Sequence, residues 1–377
     1  MAREYGLTIK TADPSYGTIA YLSSASNISI KYSLSGTSTL DCTFSADSAD
    51  GQALYDILNG TTSLGIEPTI PVVEVSRDGV VVFEGPMVSL DMDVSDGATI
   101  SAAFSDWTGL FDHWWAYGIT RSSTANLIVN TVLGLQAGTA GTTYLAKWPF
   151  GIAPLTRTTI GTITPTCTVN ANEQTSAKEV LEQAAQTCSF DWYVDHSSQA
   201  FTMASTLGSD KRDNVKFGIG GGPGGPTIGN ASSARVTFRS PRNLVFAQDS
   251  KNRIKESPNT WDPALISTYP ASGATYKSLH NFGEYFEKVD AGSDNAQSVA
   301  NTWRKDSPRQ TVSLSVDPAL SPVWGPSSDY YLGDTVKVTV STAALTVDEA
   351  CRVNEIAVSL DDNLVEVSNE LTFEVLV

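Results

Sequence analysis

Three histidines, His113, His196 and His280, are the side chains here whose ordinary pKa lies closest to neutrality. General-base and nucleophilic catalysis lean on such groups, each held against a partner. His113 stands among tryptophans and His196 falls in an expected hairpin turn, so both are read as structural. No G-x-S-x-G, H-E-x-x-H or Cys-His signature accompanies them, and no catalytic residue is assigned.

Other patterns that could bind a cofactor or metal fail on context. Gly220, Gly222 and Gly225 spell G-x-G-x-x-G, but a dinucleotide site needs that turn to open a helix facing the pyrophosphate. Here Pro223 and Pro226 interrupt and a strand follows, so the segment GIGGGPGGPTIGN is read as a flexible loop. Asp91-Met-Asp93-Val-Ser95-Asp96-Gly97 resembles a calcium loop only in its first positions. Its sixth position is Asp96 rather than Gly, its twelfth is Ala102 rather than Glu, and it alternates as a strand. No cofactor and no metal are expected. A carboxylate pair for glycoside hydrolysis could hide among 41 acidic residues, but the sequence picks none. The remaining candidates are aromatic: Trp107, Phe111, Trp114 and Trp115 form a cluster suited to burial at a domain or subunit interface, or to stacking on sugars.

The elements around these residues are mostly strands. Ile28, Ile30, Tyr32 and Leu34 alternate with polar neighbours, and Leu40, Cys42 and Phe44 repeat the pattern after Ser35-Gly36. A helix is expected over Ala49 to Leu58, stopped by Asn59-Gly60. IPVVEV and VVVFEG join through Asp78-Gly79, and MVSLDMDV and ATISAAF through Asp96-Gly97; both pairs suit tight hairpin turns. The middle of the chain holds a helix in which Leu127, Ile128, Val132 and Leu133 share a face. A second helix opens on the capping box Ser176-Ala-Lys-Glu179. A hairpin of Phe190, Trp192 and Val194 against Phe201 and Met203 follows it. Strands resume at ARVTF and NLVFAQ, one helix is expected from Asp294 to Asp306, and TVSLSV, TVKVTV, CRVNEIAVSL and LVEVSNELTFEVLV run to the end.

Only 17% of the 377 residues are charged, against about 25% in an average globular chain, and the balance is acidic at -17. With no basic run to displace counterions, nucleic-acid binding is not expected, although an acidic wall would let DNA slide past without sticking. MAREYGLTIKTADPSYG lacks the apolar core of a signal peptide, and no stretch of roughly 18 apolar residues occurs. Synthesis in the cytosol and no membrane-spanning segment are expected. Cys42, Cys167, Cys188 and Cys351 lack knuckle or framework spacing, so reduced, mostly buried thiols are expected.

Four stretches together resemble the tail-hub family of tailed bacteriophages, the baseplate hub or tail-tip minor tail proteins. These are VVVFEGPMVSLDMDVSDGATISAAFSDWTGLFDHWWAYG, with its F-x-G and D-W-x-x-L-F elements; TSAKEVLEQAAQTCSFDWYVD; ARVTFRSPRNLVFAQDSKN, read as the strand pair opening a second barrel; and SDYYLGDTVKVTV, with Leu332-Gly333-Asp334. The likeness is one of order along most of the chain. It implies a homotrimeric ring joining the six-fold tail tube and distal tail protein to three-fold tip or fibre proteins. It also implies a channel for the tape-measure protein and DNA, at the tail tip of the virion.

The sequence is thus read as a β-rich α+β chain, two antiparallel β-barrel domains flanking a small α/β domain. Residues 1–105 form the first barrel, 106–230 the middle domain ending in the glycine-rich loop, and 231–377 the second barrel with one helical insertion. The function expected is structural and not enzymatic. The alternative from another class is a carbohydrate-binding or glycan-degrading β-sandwich using Trp114 and Trp115.

Overall fold

The structure is a computed structural model. It describes residues 4–11, 18–60, 70–93, 98–114, 121–134, 155–163, 166–169, 176–219, 229–238, 246–248, 254–256, 288–290, 310–341 and 346–376. The expected helix at 294–306, the Asp96-Gly97 turn, Trp115, His280 and the glycines at 220, 222 and 225 lie outside them.

The N-terminal strands are β1 (Tyr5–Thr11), β2 (Thr18–Tyr21), β3 (Ser26–Ser33), β4 (Thr39–Ser45), β5 (Pro71–Arg77), β6 (Val80–Asp93) and β7 (Thr99–Ser105). Helix α1 (Ala49–Asn59) lies between β4 and β5; Ser48 caps its start by accepting from the Gly51 N–H, and Gly60 ends it at φ 72°. The Asp78-Gly79 turn has positive φ at both residues, 51° and 80°, as a two-residue hairpin of this hand requires. Alternation does the rest: β1 reads buried at every second residue and sends Tyr5, Leu7 and Ile9 into the core.

The middle of the chain carries β8 (Arg121–Thr124), α2 (Ala125–Val132), β9 (Thr156–Ile160), β10 (Thr166–Val169), α3 (Ala177–Cys188), β11 (Asp191–Asp195) and β12 (Ala200–Ala204). The capping box at Ser176 and Glu179 is present, and Val180, Leu181, Ala184 and Cys188 are buried. This segment packs a core of its own with Val72, Trp107 and Phe111.

The C-terminal strands are β13 (Lys216–Ile219), β14 (Ala231–Phe238), β15 (Phe246–Gln248), β16 (Ile254–Glu256), β17 (Lys288–Asp290), β18 (Gln310–Val316), β19 (Thr335–Ser341), β20 (Thr346–Leu360) and β21 (Glu366–Val375). Among the described residues ARVTF and the FAQ end of NLVFAQ have other partners than the expected pair: β14 pairs with β18, while β15 pairs with β16 and β17. Periodicity marks both as strands but carries no pairing information.

Two closed barrels are not found among the described residues. Instead β20 is long enough to pair with β19 near its start, over Thr346–Arg352, and with β3 near its end, from Glu355↔Ser33 to Leu360↔Ile28, while β21 pairs with it from Cys351 to Leu360. The N-terminal strands thereby join β13, β14 and β18–β21 in one 13-stranded sheet and share one core with them, while β15, β16 and β17 form a separate sheet. Between β13 and β14 a side chain replaces a ladder. Asn230 accepts from the Gly218 N–H and donates to the Lys216 carbonyl, both at 3.0 Å.

Cysteine chemistry also departs from expectation at one position. Cys42 and Cys351 are free and buried, their thiols pushed up to about 12, chiefly by burial. Cys188, at the end of α3, is disulfide-bonded. Spacing rules for cysteine detect clusters close in sequence, so a bridge between distant elements escapes them.

Candidate functional site: a three-way junction around strand β11

The F-x-G element explains the first contact. Gly85 lies where β6 crosses the end of β7, and a Cβ there would stand 1.8 Å from the Ser105 carbonyl oxygen. That crossing delivers Asp106 and the 3-10 helix Trp107–Asp112 against β6. Asp106 is fully buried and accepts from the N–H groups of Thr108 and Ser38, both at 2.8 Å. Its neighbour Trp107 donates its indole N–H to Glu84 Oε1 at 3.2 Å. The other Glu84 oxygen takes Lys10 Nζ at 2.7 Å. Burial alone would lower the Lys10 pKa, yet the bonds from Glu84 and Glu74 together hold it above its ordinary value. A buried carboxylate is tolerated because both oxygens have partners.

The β11–β12 hairpin then clamps this corner from the middle segment. Trp192 accepts from the Ser35 N–H at 2.7 Å and returns its own N–H to the Ser35 hydroxyl. At the hairpin tip, His196 Nδ1 accepts the Glu84 backbone N–H at 3.1 Å. That N–H is available because β6 pairs with β7 only from Met87 onward, leaving its earlier edge open on this side.

The L-G-D element makes the second clamp. Asp334 Oδ1 accepts from the N–H and hydroxyl of Ser209, and its Oδ2 accepts from the Tyr331 N–H at 2.9 Å. Arg352, on β20, reaches Asp191 at 2.5 Å and the Leu207 carbonyl at 3.1 Å. Strand β11 is therefore tied to the N-terminal strands at Ser35 and Glu84 and to the C-terminal strands at Arg352.

A third set joins the outer strands directly. Arg77 donates to the Trp324 carbonyl at 2.7 Å, and its guanidinium lies 3.9 Å above the Trp324 ring centroid. Trp324 and Tyr5 both donate to the buried Glu366 carboxylate, and Arg77 is its ion-pair partner at 3.8 Å. Burial, first, and then the Glu366 charge push the Tyr5 hydroxyl far above its ordinary range, so it stays a donor. A cavity of about 260 Å³ opens beside these groups, lined by Val80, Asp195, His196, Val323, Trp324 and Tyr331 among others.

Of the aromatic candidates, Trp107 and Phe111 are buried in the middle core, and Trp114 is half-buried with its ring 5.4 Å from that of Phe111. Trp107, Trp192 and Trp324 are buried and offer no open face for a sugar. Among the described residues no group of three or more His, Cys, Asp and Glu could hold a metal ion. No helix among them is long and apolar enough to cross a membrane. Sequence reasoning missed Arg77, Asp191, Glu366 and Arg352, since a buried pair looks like any other charge in a strand. It also left His196 without a partner, because its contact is a backbone group.

No family model and no curated protein match the sequence. Solved structures do. The chain is similar to a tail protein from Neisseria meningitidis, with a TM-score of 0.59 and 11% identity over 98% of this chain and 96% of that one. The 43 kDa tail protein of prophage MuSo2 from Shewanella oneidensis matches at 0.58 and 14% identity, over 98% of both chains. A prophage tail protein from Listeria monocytogenes matches at 0.52 and 10% identity, over 98% and 94%. With 98% of this chain aligned in each case, the fold of this chain is the fold of these phage tail proteins.

Proposed function

We propose that the chain is a structural subunit of a phage tail tip, a homotrimeric hub. In this reading it joins the tail tube and distal tail protein to tip or fibre proteins, and surrounds the channel for the tape-measure protein and DNA. The likeness to three phage tail proteins over 98% of the chain carries it. Fold alone does not give function, but the two clamps on β11 and the Arg77–Trp324–Glu366 set that joins the outer strands fit the role. A ring that transmits force needs its parts held by buried, directional bonds. The charged groups Lys10, Glu84, Arg352, Asp191, Arg77 and Glu366 of the junction are engaged in ion pairs with one another.

The net charge of -17 suits a channel past which DNA moves without adhering. Residues 1–105, 106–230 and 231–377 act as the three working parts, and Trp114 with Trp115 contributes to a contact between parts or between subunits. Native mass spectrometry of the purified chain tests the oligomer. A species of three chains is expected, and a monomer at every concentration would contradict the hub.

A further inference from the structure

His196 sits at the tip of the β11–β12 hairpin, only 3% exposed, with its ring 5.2 Å from the Phe83 ring and 6.2 Å from the Tyr32 ring. A backbone N–H can only donate, so the bond from Glu84 requires Nδ1 to carry no proton. The neutral ring then holds its proton on Nε2, which has no hydrogen-bond partner among the described residues. Adding a proton to Nδ1 would set N–H against N–H and bury an imidazolium. We infer that His196 is an acid-sensitive latch, holding the β11–β12 turn on β6 while neutral and releasing it when Nδ1 is protonated.

The groups around it do not rescue the charged form by hydrogen bonding. Glu84 on β6 is engaged by Lys10 and Trp107. Asp106, at the 3-10 helix cap, is engaged by Ser38 and Thr108. Asp195, in the hairpin itself, is engaged by Ser197 and Ser198. Arg77, which carries a positive charge, and Asp78 line the same cavity. Burial lowers the His196 pKa, and the charges of Asp106, Glu84 and Asp195 offset this only in part. The sign follows from linkage. The folded-state pKa is below the unfolded one, so the latch's contribution is complete above about pH 6.5 and is lost as pH falls through the folded value. Release takes up one proton, so the opening constant rises as pH falls below about 6.5, by at most about tenfold per pH unit, until the folded value is reached. This inference does not rest on the tail-tip reading.

Hydrogen exchange of the full chain, corrected for the intrinsic pH dependence of exchange, tests it. Between about pH 7.5 and about pH 5, peptides containing Glu84 and residues 195–199 should lose protection, by up to roughly thirtyfold. His196→Asn supplies a non-titrating acceptor at the Nδ1 position and should flatten that loss. Persistence of the loss in His196→Asn, or full protection of the wild-type peptides at about pH 5, would overturn the latch. Should His196→Asn not fold, the chain with His113→Asn and His280→Asn keeps His196 as its sole histidine. It must show the same loss, and a flat response there overturns the proposal equally.

Discussion

Gly208 and Gly333 pass so close that a Cβ on Gly208 would lie 2.1 Å from the Gly333 carbonyl carbon and oxygen. Both residues hold positive φ, 90° and 87°. This crossing lets the L-G-D turn reach Ser209, so the glycine of that motif is fixed by a second glycine 125 residues earlier. Gly208→Ala or Gly333→Ala should therefore cost about 2–5 kcal/mol, combining the left-handed conformation with overpacking. Urea unfolding of each variant measures this, and a loss under about 0.5 kcal/mol, the range of an ordinary surface change, would refute the crossing.

Arg352 binds Asp191 and the Leu207 carbonyl from a part-buried position. Arg352→Ala should destabilise by about 1.5–3 kcal/mol, the range for hydrogen bonds to charged groups. Arg352→Lys should recover only part, since one ammonium cannot reproduce the planar fork. The exposed pair Asp210–Arg212 provides the contrast. Arg212→Ala should leave the unfolding midpoint nearly unchanged despite its short contact.

Trp324 lies between Arg77 and Tyr32, with ring centroids of Trp324 and Tyr32 4.9 Å apart. Trp324→Ala should cost about 3–5 kcal/mol. Trp324→Phe, which keeps the ring but drops the indole N–H bond to Glu366, should cost less. Denaturant midpoints of the two variants decide, and equal losses would mean that the hydrogen bond rather than the packing dominates.

The Cys188 disulfide gives a chemical test. Alkylation of the denatured, unreduced chain followed by peptide mass spectrometry should label Cys42 and Cys351 and leave Cys188 unlabelled; prior reduction should expose it. Labelling of Cys188 without reduction would show the bond to be absent.

Much of this was legible in the sequence. Strand alternation at β3 and β4, the Asp78-Gly79 turn and the Ser176 capping box are local signals, and each marks its element correctly. The pairing of β3 with β20 joins residues more than 300 positions apart, and no local period encodes it. For that reason two separate barrels were expected where one sheet runs through both strand groups. Gly85 and Gly333 stood out as motif glycines, but their reason, a backbone crossing from elsewhere, appears only in three dimensions. The charges at Arg77, Glu366 and Arg352 carry no mark of burial in the sequence.

The central claim concerns place in the particle. Negative-stain microscopy of phage particles with an antibody raised against this chain tests it most directly. The account predicts label at the tip of the tail, on the axis. Label along the tube or on the capsid would contradict it.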